Sequence, residues 1–273
     1  MSMHRSVKKI TPASIRAMKG KERIVSLTAY TKATAQFMSD FVELIIVGDS
    51  VGMVAYGFDS TLPVTLEMMI AHGAAVVRGA GRSCVVVDMP YGSYQESKEM
   101  AFRNAAKILR ETGADAVKIE AGAELMETVE YLVSRGVPVM AHIGLKPQHV
   151  RVVGGFKAQG RSAEAANAIV DDALALQRAG AFALLIEGVY EGAADAVTKS
   201  VDVPVIGIGA GRQCDGQVLV TEDVLGLFTD YTPRFAKKYA DLAVLMRSAF
   251  SSFREEVRAG IFPAPEHCFR SRE

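Results

Sequence analysis

Three times in succession the chain repeats one pattern: a helical stretch closed by glycine, a gap of one to three residues, then an apolar run finishing on a polar or charged residue. KEMAFRNAAKILRETG leads into ADAVKIE at 114–120, AELMETVEYLVSRG into VPVMAHIG at 137–144, and AEAANAIVDDALALQRAG into AFALLIEG at 181–188. Glycine takes the left-handed turn after a helix without a side-chain clash, so Gly113, Gly136 and Gly180 are predicted to stop their helices. Continuous apolar runs alternating with helices are the signature of parallel strands buried on both faces. Eight can be counted: RIVSLTA, ELIIVGD, SCVVVDM, AVKIE, PVMAH, ALLIE, PVIGIG and a weaker DVLGL. Eight βα units predict a closed (β/α)₈ TIM barrel of the α/β class. An open doubly wound sheet would put a glycine fingerprint after its first strand, where this chain has TAYTKATAQ.

With 273 residues, 49% of them hydrophobic, the chain is expected to form one domain over 1–273, with a short lead-in and one or two closing helices between Ala236 and Gly260. Thirty-one basic residues balance 31 acidic ones, so no global positive field exists to attract a phosphate backbone or anionic lipid, and nucleic acid is not an expected partner. Cys84, Cys214 and Cys268 have neither disulfide nor zinc spacing, which predicts a reducing, cytoplasmic setting. Apolar runs stop well short of the ~20 residues that span a bilayer, so no membrane association is expected. The first 23 residues hold seven Lys or Arg and one acid, Glu22, but no apolar targeting core follows, and the segment reads as part of the fold.

In barrel enzymes the reacting groups come from the C-terminal strand ends and the loops beyond them. Here those ends are unusually ionisable: Asp49, Asp88, Glu120, His142 and Glu187. Side chains alternate along a strand, so Lys118 and Glu120 face one side together. Converging carboxylates repel unless something positive lies between them, and oxygen ligands on rigid strands suit a hard cation such as Mg²⁺. Such an ion leaves room for a 2-oxo acid to chelate and stabilises the enolate formed when the neighbouring C–H proton leaves. Lys118 is then placed to neutralise substrate charge, and Glu187, flanked by Leu185 and Ile186, to accept the proton, because partial burial raises a carboxyl pKa toward the useful range. GIGAG at 207–211 is read as close backbone approach at the rim, GGFKAQGR at 154–161 as a glycine-rich loop or a lid, and His72 as a structural residue on a helix.

The motifs resemble the ketopantoate hydroxymethyltransferase family. The resemblance runs through LTAY at 27–30, VGDSVGMVAYGFDSTLPVT at 47–65, DMPYGSYQ at 88–95, VKIEAG at 117–122, HIGLKPQ at 142–148, GGFKAQGR, IEGV at 186–189, PVIGIGAG at 204–211 and CDGQVLV at 214–220. It implies a barrel of the phosphoenolpyruvate/pyruvate type and transfer of a hydroxymethyl group from 5,10-methylenetetrahydrofolate to 3-methyl-2-oxobutanoate, giving 2-dehydropantoate for pantothenate biosynthesis. It further implies Mg²⁺ held by Asp49, Asp88 and Glu120, some through water, and substrate contacts from Asp49, Ser50, Asp88, Lys118 and His142. Glu187 is the implied proton acceptor, and the implied assembly is a homodecamer. The chain departs from the family's usual residues at Thr31, Tyr190, Ala264 and Pro265, none of them an implied ligand. The alternative is a Mg²⁺-dependent 2-oxo acid lyase or mutase of the isocitrate lyase type, but its Lys-Lys-Cys-Gly-His loop has no counterpart here.

Overall fold

The computed structural model describes residues 8–228 and 233–269. The chain divides into two compact units, Met1–Val220 and Thr221–Glu273. All eight strands belong to the first: β1 (Ile24–Thr28), β2 (Leu44–Val47), β3 (Cys84–Asp88), β4 (Ala116–Glu120), β5 (Val139–Gly144), β6 (Ala183–Glu187), β7 (Val205–Ile208) and β8 (Gly216–Leu219). Each pairs in parallel with its sequence neighbour, and β8 returns to β1, closing the barrel in the order β1 to β8.

Strand alternation divides the core in two. Leu44, Ile46, Cys84, Val86, Ala116, Met140, Leu185 and Ile206 form one buried cluster inside the barrel, joined by Ile15 from the helix Pro12–Arg16. Ile45, Val47, Val85, Val87, Val117, Ile119, Ala141, Leu184 and Ile186 point the other way and pack with the surrounding helices. This parity fixes the placement of chemistry. Residues two places beyond an inward apolar residue also face inward, so Asp88 follows Val86, Lys118 and Glu120 follow Ala116, His142 follows Met140, and Glu187 follows Leu185. Apolar packing at the base of the lumen thus carries the ionisable residues to its rim.

Two of the three predicted helix stops hold, while the helix Met126–Val133 ends on Ser134, two residues before Gly136. Gly113 (φ +74°) ends the helix Lys98–Thr112, and Gly180 (φ +95°) follows the helix Ala163–Arg178. Residues 1–7 of the basic lead-in lie outside the described residues. The part described is pinned to the barrel: Lys9 Nζ lies 3.1 Å from Asp115 and donates to the Ser83 carbonyl at 2.6 Å, and Lys19 reaches Asp215 at 2.8 Å.

One strand assignment is corrected. DVLGL is not the eighth strand; its first residues belong to the helix Thr221–Leu225, and the barrel closes through GQVL instead. Glu222 and Asp223 place two carboxylates in that helix's first turn, where they complement the positive end of its dipole. GQVL does not read as a strand because it is not an apolar run: Gln217 faces away from the lumen and is exposed, and Gly216 is required by proximity, since a Cβ there would sit 2.4 Å from the Ile24 carbonyl oxygen of β1. In the second unit, the stretch from Ala236 to Gly260, expected to hold one or two closing helices, holds one, Leu242–Ala259, stopped by Gly260 (φ +68°). Among the described residues, no helix is long and apolar enough to cross a membrane.

Candidate active site

Five rim groups are almost fully buried, with Asp49, Asp88, Lys118, Glu120 and His142 each exposing 5% or less of its surface. Burial at this level is tolerable only with partners. Strand register supplies them: Asp88 lies opposite Lys118, Glu120 opposite His142, and Glu187 opposite Gly144. Lys118 Nζ is 3.0 Å from Asp88 Oδ2 and 3.3 Å from His142 Nδ1. The Asp49 backbone N–H donates to the same Asp88 oxygen at 3.1 Å, which brings the turn after β2 against β3. Ser50, next along that turn, has its hydroxyl 2.9 Å from the Tyr30 hydroxyl. On the far side of the imidazole, His142 Nε2 lies 3.4 Å from Glu187 Oε2 without meeting hydrogen-bond geometry. All the residues singled out in the sequence therefore meet at one end of the barrel, linked in a chain from Asp49 through Asp88, Lys118 and His142 to Glu187.

Electrostatics sharpen the picture. Four carboxylates (Asp49, Asp88, Glu120, Glu187) face one ammonium (Lys118), a net charge of −3 if all are ionised. Burial, then the neighbouring Asp88, pushes Asp49 up to about 7. Burial and Asp49 push Glu120 well above the carboxylate range. Glu187 is raised to about 7 by burial, with Lys118 opposing, although its side chain keeps 20% exposure and so remains within reach of water. Burial works against the Lys118 ammonium, but Asp88, Asp49 and Glu120 outweigh it and hold its pKa above the ordinary lysine value. Burial and the Lys118 charge drive His142 well below its ordinary value, leaving a neutral ring. Since Lys118 can only donate, Nδ1 is the acceptor, and the ring proton is assigned to Nε2, on the Glu187 side.

The acid cluster fits a divalent cation. Asp88 Oδ1 and Glu120 Oε1 are buried carboxylate oxygens with no hydrogen-bond partner, an arrangement that costs on the order of 1–3 kcal/mol per group unless something binds there. Hard oxygen donors and excess negative charge suit Mg²⁺ rather than a soft metal. Among the described residues, no three His, Cys, Asp or Glu side chains converge into a ready cage.

Two neutral residues that the sequence reading did not single out sit within this network. Gln148 donates its Nε2 to Asp49 Oδ2 at 2.8 Å and its backbone N–H to Glu120 Oε2 at 3.0 Å, and Tyr94 places its hydroxyl 2.7 Å from Gln148 Oε1. A criterion based on ionisable strand ends passes over both; the available signal was that Gln148 lies just beyond β5, in the loop bordering the rim. The glycine segments behave differently from one another. In GIGAG, a Cβ on Gly207 would come within 2.9 Å of Cys214 Sγ, so glycine there permits close packing. In GGFKAQGR, Gly154 and Gly155 take positive φ (+71° and +121°), while Gln159 is tied by its backbone to Gly188 and Tyr190 beyond β6. His72 bonds the Tyr30 carbonyl at 2.7 Å and the Tyr56 hydroxyl at 2.9 Å, a structural role.

Residues 9–265 match the family model described as ketopantoate hydroxymethyltransferase. The chain belongs to this family. It is 62% identical over 273 residues to 3-methyl-2-oxobutanoate hydroxymethyltransferase 1 of Hahella chejuensis, covering 100% of this chain and 98% of that protein. It is 56% identical over 269 residues to the 3-methyl-2-oxobutanoate hydroxymethyltransferase of Paramagnetospirillum magneticum, covering 98% of each. Solved structures share the fold at low identity. One is 2,3-dimethylmalate lyase, a PEP mutase/isocitrate lyase superfamily member (TM-score 0.58, 14% identity, 94% of this chain and 92% of that one). Another is phosphonopyruvate hydrolase in complex with oxalate and Mg²⁺ (TM-score 0.56, 12% identity, 94% and 92%). The barrel architecture is thus shared with the lyases and mutases, while sequence similarity along the whole length lies with the hydroxymethyltransferases.

Proposed function

We propose that this chain transfers the one-carbon unit of 5,10-methylenetetrahydrofolate to 3-methyl-2-oxobutanoate, forming 2-dehydropantoate for pantothenate biosynthesis. Full-length similarity to enzymes of that name supports the substrate. The observation that carries the chemistry is Glu187: a lumen-facing carboxylate raised to about 7, partly open to water, across His142 from the buried acid cluster. A group titrating near neutral pH is a competent base for an activated C–H proton.

Asp49, Asp88 and Glu120 are the residues that would hold Mg²⁺. When bound, the ion supplies Lewis-acid polarisation of the carboxylate and ketone oxygens of a 2-oxo acid. Lys118, fixed by Asp88 and His142, offers its remaining proton to substrate anionic oxygen. Ser50 and Asp49, on the turn after β2, border the same space. Water adds to the methylene carbon of the folate and both C–N bonds break, releasing formaldehyde and tetrahydrofolate. Glu187 takes the C3 proton on a carboxylate oxygen, and the resulting C3 nucleophile adds to the formaldehyde carbon, forming the new C–C bond as the C=O π bond opens to the hydroxymethyl oxygen. Neutral His142 presents its Nε2 proton on the Glu187 side, where it donates to the developing hydroxymethyl oxygen and does not compete for the C3 proton.

The three cysteines remain unpaired, with Cys84 and Cys214 buried, in keeping with a cytoplasmic enzyme; the resemblance to the family favours a homodecamer. The test is turnover of 3-methyl-2-oxobutanoate with and without methylenetetrahydrofolate and Mg²⁺. Ketopantoate should form only with all three present, and C3 deuterium exchange should proceed without the folate. Absence of ketopantoate in the complete mixture would overturn the assignment.

A further inference from the structure

In the acid cluster, Glu120 has one carboxylate oxygen tied down and the other bare: Oε2 accepts a hydrogen bond while Oε1 has none. Asp88 shows the same division, with Oδ2 engaged and Oδ1 bare. Asp88 is tied by Lys118 and the Asp49 backbone, but the ties on Asp49 and Glu120 both come from Gln148, through its side-chain Nε2 and its backbone N–H respectively. We propose that Gln148, locked by Tyr94, is a positioning residue for the divalent cation, spanning the carboxylates of Asp49 and Glu120 so that their remaining oxygens stay oriented toward the ion. This rests on the reading that those acids hold a cation.

The direction of the amide is determined by its surroundings. Oε1 receives the Tyr94 hydroxyl at 2.7 Å and the Gln95 Nε2 at 3.0 Å, so Nε2 must face the acceptors on the other side: Asp49 Oδ2 at 2.8 Å and the Met89 carbonyl at 3.0 Å. Both amide protons and both lone pairs are thereby used. Tyr94 is in turn anchored to β4, because its hydroxyl oxygen accepts the Glu120 backbone N–H at 3.1 Å. Tyr94 is fully buried and Gln148 exposes 4%, so neither hydroxyl nor amide can exchange these partners for bulk water. Pro147 opens the turn Pro147–His149 and restricts the backbone that carries the amide.

Any residue but proline would supply the backbone N–H to Glu120, but only a side chain of this kind serves Asp49. A cation at this position would compete with the metal, a carboxylate could not donate to Asp49, and asparagine is one methylene too short to span the same partners. Outer hydrogen bonds of this type orient ligands, and their removal weakens metal binding by roughly 10- to 100-fold.

The decisive measurement is Mg²⁺ titration calorimetry on metal-free protein without substrate, comparing wild type, Gln148→Met and Tyr94→Phe, with circular dichroism to confirm folding. Gln148→Met should weaken Mg²⁺ binding by roughly 10- to 100-fold, Tyr94→Phe in the same direction by a smaller factor, and saturating Mg²⁺ should restore most of kcat in both. A Kd unchanged from wild type in both folded variants, or a loss of kcat that added Mg²⁺ does not relieve, would overturn the proposal. If Gln148→Met does not fold, Tyr94→Phe decides alone. Failure of the wild-type protein to bind Mg²⁺ would instead remove the metal reading itself.

Discussion

Replacing Glu187 with glutamine should slow the enzyme and stabilise it at once, and the structure gives a size to both effects. Glu187 is raised from an ordinary 4.5 to about 7 by burial. At about 1.36 kcal/mol per pKa unit, keeping this carboxylate charged in its pocket costs about 3 kcal/mol, an upper figure because the side chain keeps some water access. The folded pKa lies above the unfolded one, so the stability associated with the protonated form is complete below about 4.5 and is lost as pH rises through about 7. Glutamine carries no charge to bury. In metal-free protein, Glu187→Gln should therefore match wild type near pH 4 and gain up to about 3 kcal/mol by pH 8, a Tm rise of several degrees for a chain of this size. Activity moves the other way. A general base contributes about 10²- to 10⁴-fold, so C3 deuterium exchange, followed by NMR with Mg²⁺ and 3-methyl-2-oxobutanoate in D₂O, should fall by that factor. The wild-type rate should rise with pH as Glu187 ionises, and that limb should vanish in the variant. Exchange within threefold of wild type, or a Tm difference that does not grow with pH, would refute the reasoning.

Three further outcomes are expected. Asp88→Ala removes the partner of Lys118 at 3.0 Å and a bare carboxylate oxygen, so it should weaken Mg²⁺ binding at least about tenfold and lower stability by about 3–5 kcal/mol; calorimetry giving wild-type affinity would contradict the ligand assignment. The Tm gain on adding Mg²⁺ should be larger at pH 8 than at pH 5.5, because Asp49, raised to about 7, is protonated at the lower pH; equal gains would argue against Asp49 as a ligand. Gly216→Ala should push β8 off β1, since its Cβ would lie 2.4 Å from the Ile24 carbonyl oxygen, and urea unfolding should show a loss of at least about 1 kcal/mol.

Much of the fold was legible because burial on both faces forces six strands, β2 to β7, to be largely apolar runs, and their alternation with glycine-stopped helices leaves few architectures open. β8 was not legible for the opposite reason: a strand built from glycine and an outward glutamine has no hydrophobic signature. At the site, Asp49, Asp88, Lys118, Glu120, His142 and Glu187 could be found because charge at the end of an apolar strand is conspicuous. Gln148 and Tyr94 lie within the motifs HIGLKPQ and DMPYGSYQ, but their role does not show there, since it comes from hydrogen bonds between segments 54 residues apart in the chain. The long-range direction of an amide is a tertiary property, and composition carries no trace of it. The same holds for the raised pKa of Glu187, which depends on how far the neighbouring elements exclude water.

The two-residue rhythm that separates lumen from helix layer also limits how such a protein can change. Deleting one residue ahead of Lys118 in β4 would turn Lys118 and Glu120 toward the helices and bring Ile119 into the lumen, exchanging charge for oil in both places. Substitutions can accumulate within the strands, but their lengths are fixed as firmly as a reading frame. Insertions and deletions must be absorbed by the loops, and new substrate preferences in this architecture have to arise there.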